Sequence, residues 1–207
     1  MRYFVTAIGT DSGKTLASAI LVEALGADYW KPIQAGTPTD SDTIRNLVSP
    51  KRVIHQEQYF LKSPMSPHAA AKIDNVEIKI KHLSAPHTTK PLIIEGAGGL
   101  LVPVNDQETI ADMIPHFQSE IILVSNIYLG SINHSLLSLE LIKSRGYHLK
   151  GIIFNGPKNL ETQQIIQNYA GVKCLLHIRN EKKITKEVVN EYAQKLKANW
   201  NELAGQR

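Results

Sequence analysis

The stretch Tyr3–Thr15, Tyr-Phe-Val-Thr-Ala-Ile-Gly-Thr-Asp-Ser-Gly-Lys-Thr, restricts what this chain can fold into more than any other. Tyr3–Ile8 is apolar and partly β-branched, the composition of a buried strand. Small and polar residues follow, ending in Gly13-Lys14-Thr15. From Leu16 the pattern turns helical, with Leu16, Ala17, Ala19, Ile20, Val22 and Leu25. A strand, a tight loop and a helix frame a phosphate site. Gly13 lets backbone N–H groups close around phosphate oxygens, and the helix N-terminus adds partial positive charge. Lys14 can reach the β- and γ-phosphates, and the Thr15 hydroxyl can ligate Mg²⁺. The general spacing G-x-x-x-x-G-K-[ST] puts its first glycine at position 8, which is Ile8 here, with Gly9 displaced by one. A bare Gly-Lys-Thr also arises where a glycine only turns the chain and the lysine is solvated. The flanking strand and helix favour phosphate.

Strands and helices alternate along the rest of the chain. Gly26 caps the first helix. Asp28–Ile33 reads as a second strand, stopped at Lys31-Pro32 because proline cannot donate to a sheet ladder. Ser41 is the expected N-cap of a helix Asp42–Val48. Val53–Phe60 is a possible short strand, and Val76–Leu83 fits helix or strand. Further strands are expected at Pro91–Ile94, Glu120–Ser125, Leu149–Phe154 and Val172–Ile178, and helices at Thr109–Phe117, Ser135–Arg145, Leu160–Tyr169 and Ile184–Leu203. This order predicts a doubly wound α/β fold: a mostly parallel sheet in three α/β/α layers. With 207 residues the chain is expected to form a single domain, 1–207.

Charge and composition narrow the partners. The net charge is +4, but the basic residues are dispersed, without a dense Lys/Arg run or an aromatic-interleaved basic stripe. Nucleic acid is therefore not expected as a partner. No segment reaches the ~18 unbroken apolar residues of a membrane helix, and the first strand begins at Arg2 with no signal peptide visible, so neither a membrane nor export is expected. The single Cys174 reads as a small buried hydrophobe and suits the cytoplasm.

In a parallel α/β sheet, ligands bind beyond the carboxyl ends of the strands. Here those ends carry residues 11–15, Lys31, residues 95–99, residues 126–133 and Asn155. Glu95, closing an apolar strand opposite a phosphate loop, is placed for a second Mg²⁺ contact. Asp42 is the other metal candidate, although a carboxylate at a helix start is also favourable by itself. Gly96, Gly98 and Gly99 would let backbone N–H groups approach a ligand. Lys31 would sit in the crevice near Lys14, where two ammonium groups can hold a transferring phosphoryl group.

These motifs, in order, resemble the dethiobiotin synthetase family: Tyr3–Thr15, Lys31-Pro32-Ile33-Gln34-Ala35-Gly36, Ser41-Asp42, Ser66-Pro67-His68, Glu95-Gly96-Ala97-Gly98-Gly99 and Leu129-Gly130-Ser131-Ile132-Asn133-His134. The resemblance implies an ATP- and Mg²⁺-dependent enzyme of biotin biosynthesis of the phosphate-loop NTPase type. Its family closes the ureido ring of dethiobiotin from 7,8-diaminononanoate and CO₂, with bicarbonate as the source of CO₂. One amine takes up CO₂ as a carbamate, whose oxygen attacks the γ-phosphate. The second amine then attacks the carbonyl of the mixed anhydride and expels phosphate. Carried over residue by residue, Lys31 and Lys14 are catalytic. Asp11, Ser12, Gly13, Lys14, Thr15, Leu16, Asp42, Glu95, Gly96, Ala97, Gly98 and Asn155 contact ATP, with Asn155 reading adenine. Thr15, Asp42 and Glu95 hold the metal. Thr10, Ala35, Gly98 and Gly99 face the diamine. Gly130, Ser131 and Asn133 reach the substrate of a neighbouring subunit, so a homodimer is implied.

The chain departs from the family pattern at Ala7, where the longer phosphate loop begins with glycine, and at Ala35, where Ser or Thr is usual. A methyl at Ala7 is tolerable if its φ is negative. The adenine-side Gly-x-Ile-Pro segment has only His177-Ile178-Arg179 as a counterpart. The rival expectations are a switch ATPase of the septum-site or partition type, which would carry an extra lysine that residues 6–12 lack, and a degenerate inactive paralogue. A glutamine-dependent amidating relative would need a glutaminase domain for which the chain has no room.

Overall fold

The computed structural model describes residues 1–204, and side chains through Trp200. Among the described residues, nine strands and seven α-helices follow one another: β1 (Arg2–Ala7), α1 (Lys14–Leu25), β2 (Asp28–Trp30), β3 (Ile33–Ala35), α2 (Asp40–Leu47), β4 (Ile54–His55), β5 (Tyr59–Leu61), α3 (Pro67–Ile73), β6 (Leu92–Gly99), α4 (Met113–His116), β7 (Glu120–Asn126), α5 (Ser131–Ser144), β8 (Leu149–Asn155), α6 (Leu160–Ala170), β9 (Cys174–Ile178) and α7 (Lys186–Ala204). Seven strands form one sheet in the order β4-β2-β6-β1-β7-β8-β9, and every pairing is parallel. β1 lies between β6 and β7 near the centre of the sheet. That position explains its unbroken apolar run, because a parallel strand covered by helices on both faces has no polar side.

Side chains alternate between two cores. Tyr3 and Val5 point to the face that carries Tyr29 and Ile93, packed with Ile20 of α1, Ile44 of α2 and Val189 of α7. Phe4 points to the other face, with Trp30 and Ile94, against Ala70 of α3, Leu139 of α5 and Ile166 of α6. α1 is buried nearly all round, consistent with its lack of an amphipathic stripe.

The three-layer parallel architecture agrees with the sequence reading, and most of the differences lie between β2 and β6. β2 stops at Trp30, before Pro32, and the chain then forms β3, which pairs with β5 in a separate two-stranded sheet. The expected strand at 53–60 is two pieces, β4 and β5, on different sheets. Residues 76–83 hold neither a strand nor an α-helix, only a 3-10 turn over Ile80–His82. β6 runs on through its glycines to Gly99, where Gly99 pairs with Ala7. α5 begins at Ser131, four residues before the expected start, with Gly130 in the left-handed conformation at φ 104°. α2 begins at Asp40, not Asp42, because Thr39 is the N-cap and its side chain accepts from the Asp42 N–H.

Candidate functional site

The carboxyl ends of β1, β2 and β6 open into a cleft of about 760 Å³, lined by Thr10, Asp11, Gly13, Lys14, Thr15, Lys31, Ala35, Asp40, Glu95, Ala97 and Gly98, among others. The loop after β1 is shaped by its own backbone. Gly13 sits at φ 91°, a conformation that costs an L-residue about 1–2 kcal/mol. A Cβ there would also overlap the Asn155 amide. The Ser12 hydroxyl donates to the Gly9 carbonyl at 3.2 Å, and Lys14 Nζ donates to the same oxygen at 3.2 Å. Asn155 Nδ2 donates to the Ser12 carbonyl at 3.0 Å. Ala7 is a strand residue, absent from the residues with positive φ, so its methyl is accommodated without backbone strain.

The second part of the cleft is ionic. Lys31 Nζ lies 2.5 Å from Asp40 Oδ2, 3.3 Å from Glu95 Oε1 and 3.1 Å from the Gly96 carbonyl. The Thr15 hydroxyl is 2.9 Å from Asp40 Oδ1 and 3.0 Å from Glu95 Oε1. Glu95 is 1% exposed and Lys31 is 4% exposed. Burial by itself would depress Lys31, but the Glu95 and Asp40 carboxylates outweigh it and hold the ammonium above its ordinary range. Burial would raise Asp40, and Lys31 outweighs it, so that carboxyl titrates below its usual range. Lys14 is lowered, first by burial and then by the Lys31 charge. Burial, reinforced by the Glu95 charge, keeps the Tyr29 hydroxyl protonated far above the ordinary phenol range.

Asp40, not Asp42, is the carboxylate in the cleft. Two residues along a helix turn the side chain through roughly 200°, so the two aspartates face opposite ways. Asp42 is exposed and pairs with Arg45 at 2.5 Å, outside the cleft. The signal that could have located Asp40 is Gln34, whose Oε1 accepts from the Asp40 N–H at 3.1 Å while its Nε2 donates to the Gly36 carbonyl at 3.1 Å. Gln34 thereby ties the start of α2 to the turn that follows β3.

The donor set fits Mg²⁺. Thr15 Oγ1, Asp40 Oδ1 and Glu95 Oε1 are three hard oxygens in mutual proximity, and Mg²⁺ is usually held by one or two carboxylates with substrate phosphates and waters. Among the described residues no cluster of three His, Cys, Asp or Glu side chains could hold a metal unaided, so phosphate oxygens would have to complete the sphere.

Other expected residues fall outside the cleft. Leu16 packs on the core beneath α1. Gly96 contributes its carbonyl to Lys31, and Gly99 supports Ala7 from the neighbouring strand. Gly130, Ser131 and Asn133 do not line the cleft of their own chain. They start α5 beside the exposed apolar side chains Tyr128, Leu129 and Ile132. Asn155 braces the phosphate loop at the far end of β8.

A parallel sheet with a Gly-Lys-Thr turn beyond its central strand, facing a buried Lys–Glu pair and a half-buried Asp, defines a phosphate-loop nucleotide-binding protein. Residues 1–188 match the family model described as an AAA domain. ATP-dependent dethiobiotin synthetases are 57% identical over 97% of this chain and 99% of the relative in Cytophaga hutchinsonii, and 50% identical over 94% and 95% in Christiangramia forsetii. The corresponding protein of Chlamydia pneumoniae is 42% identical over 96% of this chain and 90% of its own length. The chain belongs to the dethiobiotin synthetase family. Among solved structures, the cell division ATPase MinD of Pyrococcus furiosus aligns with a TM-score of 0.62 at 16% identity, covering 98% of this chain and 99% of that one. A ParA family ATPase of Chlorobium tepidum aligns with a TM-score of 0.55 at 16% identity, covering 100% and 99%. At that identity these two show the shared fold alone.

Proposed function

We propose that this chain is an ATP-dependent dethiobiotin synthetase, closing the ureido ring of dethiobiotin from 7,8-diaminononanoate, CO₂ and ATP. The observation that carries the reading is the placement of Lys31. Its ammonium is buried, held by Asp40 and Glu95, and faces the same cleft as Lys14 and Thr15 of the phosphate loop. Phosphoryl transfer asks the protein for positioning and charge neutralisation more than for covalent help. Lys31 stays protonated and serves as a fixed positive charge for the carbamate and the transferring phosphoryl group. Lys14 and the loop N–H groups hold the β- and γ-phosphates. Mg²⁺, held by Thr15, Asp40 and Glu95, would neutralise phosphate charge. The carbamate oxygen then attacks the γ-phosphorus and ADP leaves. Attack of the second amine on the carbonyl closes the ring, releasing phosphate.

The diamine would lie along Thr10, Ala35 and Gly98, where Ile33, Pro64, Met65 and Val102 supply an apolar wall for its carbon chain. Ala35 offers no hydroxyl there, so the diamine relies on backbone contacts on that side. Asn155 would face the adenine end. The exposed apolar side chains next to Gly130, Ser131 and Asn133 support a homodimer in which this segment reaches the partner's substrate. Among the described residues no helix is long and apolar enough to cross a membrane, and we place the enzyme in the cytoplasm.

The test is formation of dethiobiotin from the diamine, bicarbonate and a panel of nucleoside triphosphates. ATP consumption should require both the diamine and bicarbonate. Substrate-independent hydrolysis stimulated by DNA or lipid would instead support a switch ATPase. Absence of any turnover beside tight ATP binding would support an inactive paralogue.

A further inference from the structure

Glu95 is gripped from behind. β2 and β6 are paired neighbours with Tyr29 opposite Ile93, and the Tyr29 ring lies in the core formed with Ile93, Ile20 and Ile44. That ring is fully buried. A phenol hydroxyl at such depth needs a partner, and its partner is Glu95 Oε2 at 3.0 Å. Both Glu95 oxygens are therefore committed: Oε2 to Tyr29, and Oε1 to Thr15 and Lys31. The terminal torsion of a glutamate is broad and roughly two-fold. Nothing in β6 itself would stop the carboxylate from rotating. Asp40 has no such fixture on its carboxylate. Its oxygens meet Thr15 and Lys31, and its side chain is 31% exposed. Of the two carboxylates that meet both Thr15 and Lys31, Glu95 alone has an oxygen tied down by a neutral donor in the core.

We propose that Tyr29 is a positioning residue, whose hydroxyl fixes the rotation of the Glu95 carboxylate so that Oε1 is presented to Thr15 and to a divalent cation bound there. The inference rests on the reading of Thr15, Asp40 and Glu95 as a metal site and deepens it. Outer partners that orient a metal-binding carboxylate are commonly worth 10- to 100-fold in metal affinity or activity. Tyr29 carries no motif signal, because Asp28-Tyr29-Trp30 reads as an ordinary strand with core aromatics.

The test is Tyr29→Phe, which keeps the ring and removes the hydroxyl. ADP affinity is measured by calorimetry in Mg²⁺ and again in EDTA, on enzyme without diamine. The expected result is a loss of about tenfold in the gain that Mg²⁺ gives, with the EDTA affinity and the KM for the diamine unchanged. An unchanged Mg²⁺ gain would overturn the proposal. So would an equal loss in Mg²⁺ and EDTA, which would mark Tyr29 as packing alone. A parent protein that gains nothing from Mg²⁺ would overturn the metal reading and this inference together, whatever the dethiobiotin assay shows. As a second arm, Tyr29→Phe is added to Glu95→Gln, a background in which losing the hydroxyl takes no partner from a buried carboxylate. It should then change the Mg²⁺ gain by less than about twofold, and a further tenfold loss would overturn the proposal.

Discussion

The turn after β1 and the connection after β2 each deliver one lysine to the same cleft, by opposite means. The first works through consecutive residues: Gly13 at positive φ, the N-terminus of α1, and Lys14 donating to Gly9 within its own loop. The second works through distant ones. Lys31 leaves a strand that has just ended, and what holds it comes from Glu95 on β6 and from Asp40 at the start of α2. The charges differ accordingly. Burial, with Lys31 nearby, depresses Lys14, whereas the carboxylates lift Lys31 against the cost of its burial. Among the described residues the first lysine lacks a carboxylate partner of its own, which suits the anionic phosphate proposed for it. The second is already compensated, and its charge is a fixed part of the cleft.

The largest effect follows from the second connection. Lys31→Ala should lower dethiobiotin formation by about 10²–10³-fold or more, the scale of a lost charge-stabilising donor. It should also lower stability by about 3–5 kcal/mol in denaturant titrations, because Asp40 and Glu95 lose their buried cation. Mg²⁺ with ATP should restore part of that stability. Near-normal turnover would remove Lys31 from the reaction.

A smaller effect separates two neighbouring carboxylates. Asp40→Asn removes the carboxylate charge beside Lys31 and one of the two acceptor oxygens that meet Lys31 and Thr15, and should cost about 10²-fold in turnover. Asp42→Asn breaks only an exposed pair with Arg45 and should stay within about twofold in turnover, with at most about 1 kcal/mol in stability. The reverse ranking would return Asp42 to the site and displace Asp40.

This pair also shows where the sequence stops being informative. The phosphate loop was legible because its geometry is local: strand, glycine, lysine and helix dipole are contiguous, and Ala7 proves to be an extended residue that never needed glycine. Lys31 and Glu95 were legible as candidates because each follows an apolar run of the parallel sheet, although β6 continues past Glu95 to Gly99. Asp40 was not, since the choice between it and Asp42 depends on a helix start fixed by Thr39 and Gln34, two polar residues with many other uses. Tyr29 was hidden for a different reason: an aromatic in a strand reads as core, and only the three-dimensional path of its hydroxyl reveals Glu95. The small β3–β5 sheet was missed because a three-residue strand cannot display a periodicity. Gly130, Ser131 and Asn133 could not be tied to the cleft at all from one chain, because they lie outside it.

On the first loop the expected effect is smaller again. Gly13→Ala forces a methyl into a left-handed conformation and against Asn155. A strain of about 1–2 kcal/mol corresponds to roughly tenfold in ATP affinity, readable by calorimetry. Thr10 is the one residue of that loop placed against the diamine, so KM for the diamine should move less than the ATP affinity. If Gly13→Ala instead cost as much turnover as Lys31→Ala, the two connections would not be separable in the way their contacts suggest.

The smallest effect, that of Lys14, tests the opposite shifts of the two lysines directly, through stability against pH in the protein without nucleotide. A lysine whose folded value lies below its unfolded value of about 10.4 releases its proton first in the folded state, so folding gains stability as pH rises through the folded value of Lys14. Lys31, raised, contributes stability that is complete below about pH 10.4 and lost as pH climbs through its own higher folded value. Replacing Lys14 by Met should therefore stabilise the nucleotide-free protein at neutral pH, by on the order of 1 kcal/mol, and remove the alkaline gain. Lys31→Met should destabilise it at the same pH. Two lysines in one cleft would then differ in the sign of their contribution to folding, because one is matched to carboxylates of its own chain and the other to phosphates that have yet to bind. Equal signs for the two variants would mean that Lys14 is compensated within the protein after all, and the contrast between the two connections would fall.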